Sequence, residues 1–297
     1  MNKLALMLSV LFWGLVFIAS KDILHYMGPN TLSFLRCALG LVCILPLAAR
    51  NGFRLKSLKN KDYVLYGLIG CAGHYLLLNR AVALCTPGMS ALLQAMIPVY
   101  GILLGHFLLK ERLNKSKVTG AILSICGIAA ASWQAIVEEE GSSLWGILLM
   151  VAAVFLWSLY TAISKKREGK TDSLVLTAAL FSYGLLFMAP FTAYELAAEN
   201  GTGIPVIVNA KMISELAFIG ICATAATVAL WNYALKTIDS GVASVALNFI
   251  PVIGIVGAAL LGESAAPSQW LGCGMVLAGV LMAASAELRP GGRNSSG

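Results

Sequence analysis

Ten long apolar stretches of this chain run without a single charge: residues 4–20, 37–49, 63–79, 81–109, 118–137, 141–164, 173–194, 216–235, 240–262 and 264–286. An α-helix rises 1.5 Å per residue and the hydrocarbon core of a bilayer is about 30 Å thick, so roughly 20 apolar residues cross it. The two shortest-looking runs are clipped near one end by Arg36 and Arg80. Ten spans at about 21 residues each use roughly 210 of the 297 positions, which leaves loops and tails too short for a separate soluble domain. Charged residues make up 12% of the chain, about half the share of a soluble protein. A water-soluble globular domain, a disordered chain and a nucleic-acid-binding domain are excluded, despite a net charge of +7. The fold class read from the chain is all-α integral membrane.

The basic residues orient these spans. With loops assigned alternately to two sides, seventeen of the 21 Lys and Arg fall on the side that holds the N-terminus. Lys21 and Lys211 are on the other side, and Arg36 and Arg80 lie within spans. By the positive-inside rule this split places both termini in the cytoplasm. The first span lacks a small-residue cleavage site and reads as a retained helix rather than a leader. The Gly/Ser-rich tail 289–297 reads as disordered. The seven cysteines are odd in number, have no CxxC spacing and lie almost entirely in apolar runs, so they read as small core residues; Cys85, beside Thr86-Pro87-Gly88, is the exception.

The chain repeats itself. At an offset of 144, Trp13 meets Trp157, Ser20 meets Ser164, Lys21 meets Lys165, Gly40 meets Gly184 and Pro46 meets Pro190. At 153, Asn79 meets Asn232, Ala81 meets Ala234, Gly88 meets Gly241, Pro98 meets Pro251 and Gly101 meets Gly254; residues 79–108 share nine identities in 30 positions with the second copy. Near the end the offset is 152, where Gly120 meets Gly272 and Gly127 meets Gly279. Residues 1–137 form one unit of five spans and 138–288 a second. Five is odd, so the second copy starts on the opposite face and lies inverted against the first. Two similar halves that exchange conformations can face either side in turn, and inverted repeats recur in secondary transporters.

The doubled pattern is Asn-x-Ala, Gly-x-x-Ala/Ser and Ile-Pro-Val-x-Gly-Ile, then Glu111 or Glu263, then Gly-x6-Gly. It resembles the drug/metabolite transporter superfamily, in its ten-helix EamA-like branch, over residues 4 to about 287. The resemblance implies ten transmembrane helices, as two inverted five-helix repeats around a central cavity, and export of metabolites such as amino acids across the bacterial cytoplasmic membrane. It also implies that spans 1–4 and 6–9 enclose the path while 5 and 10 brace it. Two departures stand out: Arg80 occupies the place of Tyr233, and Glu111 is displaced by one residue relative to Glu263.

Within the spans, the candidate path residues are those a lipid-facing helix tolerates poorly. Pro98 and Pro251 each lack an N–H and crowd the carbonyl four residues back, at Gln94 and Leu247. Paired breaks at equivalent positions point to a transport site, although a packing kink gives the same signature. Gln94, Pro98, Gly101 and Gly105 share one helical stripe, and Ser244, Asn248, Pro251 and Gly254 share another. Trp13 and Trp157 lie near midspan, on stripes that include Ser9, Ser20, Tyr160 and Ser164; they read either as core packing or as cavity walls. Asn79 and Asn232 add a polar pair. Arg36 has no Asp or Glu deep in any span to answer it. Either it snorkels to the headgroups, pairs structurally within the protein, or meets a substrate carboxylate. His74, near the midplane, reads as a substrate ligand, a proton carrier or an interhelical hydrogen-bonding group.

These residues predict a small-molecule substrate, a lipid bilayer as the surrounding partner, no nucleic acid, no cofactor and no metal, in a monomer or weak homodimer. The second reading is exchange of nucleotide-sugars or phosphorylated metabolites, which demands more cationic residues than Arg36 and Arg80 provide. A membrane-embedded lipid-linked enzyme is more distant, since no HExxH, DxxD or GxSxG constellation occurs and the three histidines fall at different depths. A channel would carry a filter loop or a ring of charge, and neither is seen.

Overall fold

A computed structural model of the chain describes residues 2–109, 115–137, 142–167, 172–202, 208–227, 230, 247, 249–260, 262 and 267–288. Asn232, Asn248, Glu111, Glu263 and the tail 289–297 lie outside these. Among the described residues all regular structure is helical. Five continuous stretches are long and apolar enough to cross a bilayer: Lys3–Ile23, Pro29–Arg50, Lys61–Leu84, Leu144–Ser164 and Ser173–Ala198; shorter apolar helices cover Val99–Leu108 and Val118–Ala131.

Helix α1 spans Asn2–Ile23 and α2 spans Pro29–Arg50. Gly28 is extended ahead of Pro29, whose missing N–H costs nothing in a first turn. The Asn60 side chain accepts from the Asp62 N–H to start α3, Lys61–Tyr66. A π-helical stretch, Gly67–Gly73, follows, then α4 at His74–Leu84. The third apolar run therefore continues past Arg80, which is exposed on α4, and ends at Cys85. The punctuation here is Thr86-Pro87 rather than the charge: Thr86 Oγ1 accepts from Met89 N at 3.2 Å, and Pro87 opens α5, Pro87–Leu93. Helix α6 spans Met96–Leu109, α7 Lys115–Val137, α8 Leu144–Arg167 and α9 Ser173–Thr202. Asn209 caps α10, Ala210–Ala217, which enters a second π-helical stretch at Phe218–Ala226. Helix α11 is Phe249–Leu260 and α12 is Pro267–Leu288.

The break in the fourth run falls at Gln94–Ala95, ahead of Pro98. Gln94 N bonds Ala91 O at 3.2 Å, Ala95 N bonds Leu92 O at 3.0 Å and Ile97 N bonds Gln94 O at 2.9 Å. This tightened turn uses the Gln94 carbonyl before Pro98 can orphan it, and leaves Pro98 in the first turn of α6, where its ring is tolerated.

Packing between helices follows a reciprocal scheme. Helix α7 packs on α12, α2 on α9, and α5 on α11. Helix α1 packs on α11 and on the second π stretch; α8 packs on α6 and on the first π stretch. Helix α2 meets the second π stretch as α9 meets the first. The close approaches obey the same exchange. A methyl on Gly67 would overlap Tyr183, and one on Gly220 would overlap Leu39; Gly67 and Gly220 are 153 apart, Leu39 and Tyr183 144 apart. Gly40 abuts Thr224 and Gly184 abuts Cys71, again at those offsets. Between α7 and α12, Gly127 and Gly272 each face the other's carbonyl. Glycine serves here because a Cβ at these crossings would push helices apart.

Candidate functional site

The two π stretches put polar and aromatic groups where the units cross. A π turn takes an extra residue, which rotates everything beyond it relative to an α-helix, and such bulges concentrate at functional positions. In the first stretch, Gly67, Gly70 and Gly73 leave room for neighbours: a methyl at Gly70 would overlap the Tyr160 ring. In the second, Thr224 Oγ1 donates to Ile219 O at 2.7 Å and Thr227 Oγ1 to Cys222 O at 2.5 Å, each five residues back.

Arg36, on α2, points inward. It is 3% exposed, so the snorkelling alternative is overturned. Its Nε and Nη2 donate to Thr224 Oγ1 at 3.4 and 3.3 Å, and its guanidinium carbon sits 4.5 Å from the Tyr75 ring centroid. Nη1 is buried and has no hydrogen-bond partner among the described residues. A row of rings continues from Tyr75. His74 lies 4.8 Å from Tyr75 and 5.1 Å from Trp157; Trp157 is 5.4 Å from Tyr160, and Tyr160 is 5.6 Å from Tyr66. His74 is buried, and its Nδ1 is 2.9 Å from Ala153 O on α8. A carbonyl only accepts, so in this bond between α4 and α8 Nδ1 is the donor. Ser9 Oγ approaches Thr227 O at 3.4 Å, a bond between the positions equivalent to Ala153 and His74 in the other unit.

The remaining expected residues are placed as follows. Asn79 is fully buried and donates to Ser33 Oγ at 2.8 Å, tying α4 to α2. Gln94 is buried at the turn before α6, with Nε2 3.3 Å from Met150 Sδ. Trp13 is half-buried against the apolar core. Pro251 is buried, and Gly254 packs against Ala91. Gly101 faces open space among the described residues. Thus Arg36, His74, Trp157 and Tyr160 come together through Tyr75.

Three residues were not singled out from the sequence. Thr224 and Tyr75 complete the Arg36 setting; Thr224 was accessible only as the repeat partner of Cys71. Glu195, on α9, accepts from Asn30 N at 3.1 Å, Thr31 N at 2.7 Å and Thr31 Oγ1 at 2.9 Å. It caps α2 from a neighbouring helix and so fixes the helix that carries Arg36. Among the described residues no group of three or more His, Cys, Asp or Glu could hold a metal.

A family model for the EamA-like transporter family matches twice, over residues 3–133 and 144–285. This chain belongs to the EamA-like transporter family. An uncharacterised transporter of Archaeoglobus fulgidus is 26% identical over 278 residues, 93% of this chain and 96% of that protein. A probable amino-acid metabolite efflux pump of Salmonella typhimurium is 26% identical over 279 residues, 92% of this chain and 91% of its own length. A probable terminal-alkyne amino-acid exporter of Streptantibioticus cattleyicolor is 25% identical over 280 residues, covering 94% and 91%. A crystal structure superimposes with a TM-score of 0.69 at 18% identity over 97% of this chain and 98% of that one, a likeness of fold. With its apolar helices, this EamA-like chain is an integral membrane protein and a transporter by family.

Proposed function

We propose that this EamA-like protein is a secondary transporter that exports a small organic metabolite, an amino acid or related compound, by alternating access across the cytoplasmic membrane. The proposed architecture is ten helices in two inverted units, 1–137 and 138–288, around a central path, with both termini cytoplasmic. The observation that carries the reading is the reciprocal packing: helix pairs and glycine contacts exchange between the units while a buried polar and aromatic group lies at their crossing. Such an arrangement lets one unit adopt the conformation of the other, which opens the path to the opposite side. The amino-acid class is supported by the names of the Salmonella and Streptantibioticus relatives. The path residues of this reading are Arg36, His74, Trp157 and Tyr160, with Trp13, Asn79, Gln94, Asn232 and Asn248 flanking; Pro98, Pro251, Gly101 and Gly254 belong to the bends that permit motion.

The test is counterflow in liposomes holding the purified full chain. Preloaded unlabelled amino acids are expected to drive protein-dependent accumulation of labelled ones. Absence of any protein-dependent flux across amino acids, organic acids, organic cations and sugar nucleotides overturns the reading.

A further inference from the structure

We infer that Arg36 is the anchor for a substrate carboxylate, and that the preferred substrate is an organic monocarboxylate whose planar or aromatic part lies on the His74–Trp157–Tyr160 row. The inference rests on the transport reading above and specifies the ligand class of that site.

A guanidinium stays charged in any protein environment, so Arg36 cannot be buried by losing its proton. Its surroundings supply a hydroxyl oxygen and a ring face, and no carboxylate among the described residues. The buried acid nearest in kind, Glu195, is committed to the start of α2 by three bonds. Thr224 cannot neutralise the charge: its hydroxyl hydrogen goes to Ile219 O, which leaves its oxygen free to accept from Arg36. The result is a guanidinium positioned by Thr224 on one edge and Tyr75 on its face, with Nη1 buried and unpartnered among the described residues. That fork fits the two oxygens of a carboxylate.

Charge count narrows the class. Arg36 is the one buried Lys or Arg among the described residues; a single cation balances a monoanion, and a phosphate needs more. Arg80 is exposed on α4, and Lys21 Nζ is placed on Val82 O and Ala83 O at 3.2 and 2.9 Å. No acidic side chain among the described residues faces the cluster to pair with a substrate ammonium, which leaves an ammonium only the ring faces. The site is also one-sided. At the repeat-equivalent crossing, Leu180 replaces Arg36 and Cys71 replaces Thr224, which leaves one anchor rather than two. Beside it, the packed His74–Trp157–Tyr160 row is the aromatic surface that a conjugated group would meet.

Three probes separate the parts of the claim: 3-phenylpropionate has ring and carboxylate, L-phenylalanine adds the ammonium, and phenethylamine has ring and ammonium only. Binding of labelled 3-phenylpropionate is measured on the purified full chain in lipid nanodiscs, with the others as competitors. The acid is expected to bind at least as tightly as phenylalanine, and phenethylamine to compete at least about tenfold more weakly, the loss typical of one charge-assisted bond. Arg36→Met should abolish binding. Arg36→Lys, which keeps the charge but not the fork, should weaken it about tenfold or more. Thr224→Val should weaken it less. Monodispersity on gel filtration reports folding, and Arg36→Lys and Thr224→Val carry the test if Arg36→Met misfolds. Phenethylamine competing as well as the acid, or Arg36→Lys binding within twofold of wild type, overturns the inference. If carboxylate solutes are transported equally by wild type and Arg36→Lys, the anchor falls while transport stands. If wild type moves no solute of any class, the transport reading itself falls.

Discussion

Glu195→Ala removes an acceptor that reaches α2 from α9. The carboxylate satisfies the backbone N–H of Asn30 and of Thr31 and the Thr31 hydroxyl, at 3.1, 2.7 and 2.9 Å. Glu195 is 9% exposed, so water does not freely take its place. A hydrogen bond to an ionised group contributes about 1.5–3 kcal/mol, and removing an N-cap acceptor typically costs about 1 kcal/mol. The three bonds share one side chain and are not additive, which makes about 2–4 kcal/mol the reasonable total. At roughly 2–3 °C per kcal/mol for a chain of this size, the apparent Tm falls by about 4–12 °C. Glu195→Gln keeps one oxygen but turns an NH2 toward an N–H donor, so it should fall in between. Thr31→Val removes only the hydroxyl bond, for about 1 kcal/mol. The assay is thermal unfolding of the purified protein in detergent at one fixed heating rate. An alanine variant within about 1 °C of wild type would refute the capping argument, since the magnitude above cannot hide there.

Further predictions concern glycines and charge. Gly67→Val and Gly220→Val should each lower Tm, because a side chain at either place meets Tyr183 or Leu39; an effect at only one would contradict reciprocal packing. Gly101→Ala should leave Tm unchanged or raise it, since it meets open space and alanine gains about 1 kcal/mol of helix propensity. Lys211 Nζ lies 2.6 Å from Asp22 Oδ2 and 3.9 Å from Glu215 Oε1. At that rim, burial first and Asp22 second push the Glu215 carboxyl up to about 7, against the pull of Lys211. A carboxyl raised in the folded state loses stability as pH climbs from the ordinary carboxylate range to about 7. Wild-type Tm should therefore drop more than that of Glu215→Gln between pH 5 and pH 8, and parallel profiles would count against this assignment.

The helical membrane class was legible because charge is scarce and falls between apolar runs, and the duplication because glycines, prolines and asparagines recur at fixed offsets. Both are one-dimensional properties, fixed by the cost of putting a charge in hydrocarbon and by descent of two copies from one pattern. Arg80 was read as lying within its span, and the helix does run past it to Leu84, stopping at Thr86-Pro87. The break before α6 was expected at Pro98 and stands at Gln94–Ala95, because the turn that relieves a proline lies upstream of it. Neither π stretch was legible. Each depends on which carbonyls find a donor five residues on once glycines and neighbouring helices have settled, as at Thr224 and Thr227. Nor could the sequence choose between the headgroups and the interior for Arg36. That choice turns on the rotation of α2 about its own axis, which contact with α9, the Glu195 cap and Thr224 impose from elsewhere in the chain. Composition and periodicity determined that this chain lies in a membrane as two similar halves; packing alone decided which polar groups face each other, since a direction in space is set by partners far away along the sequence.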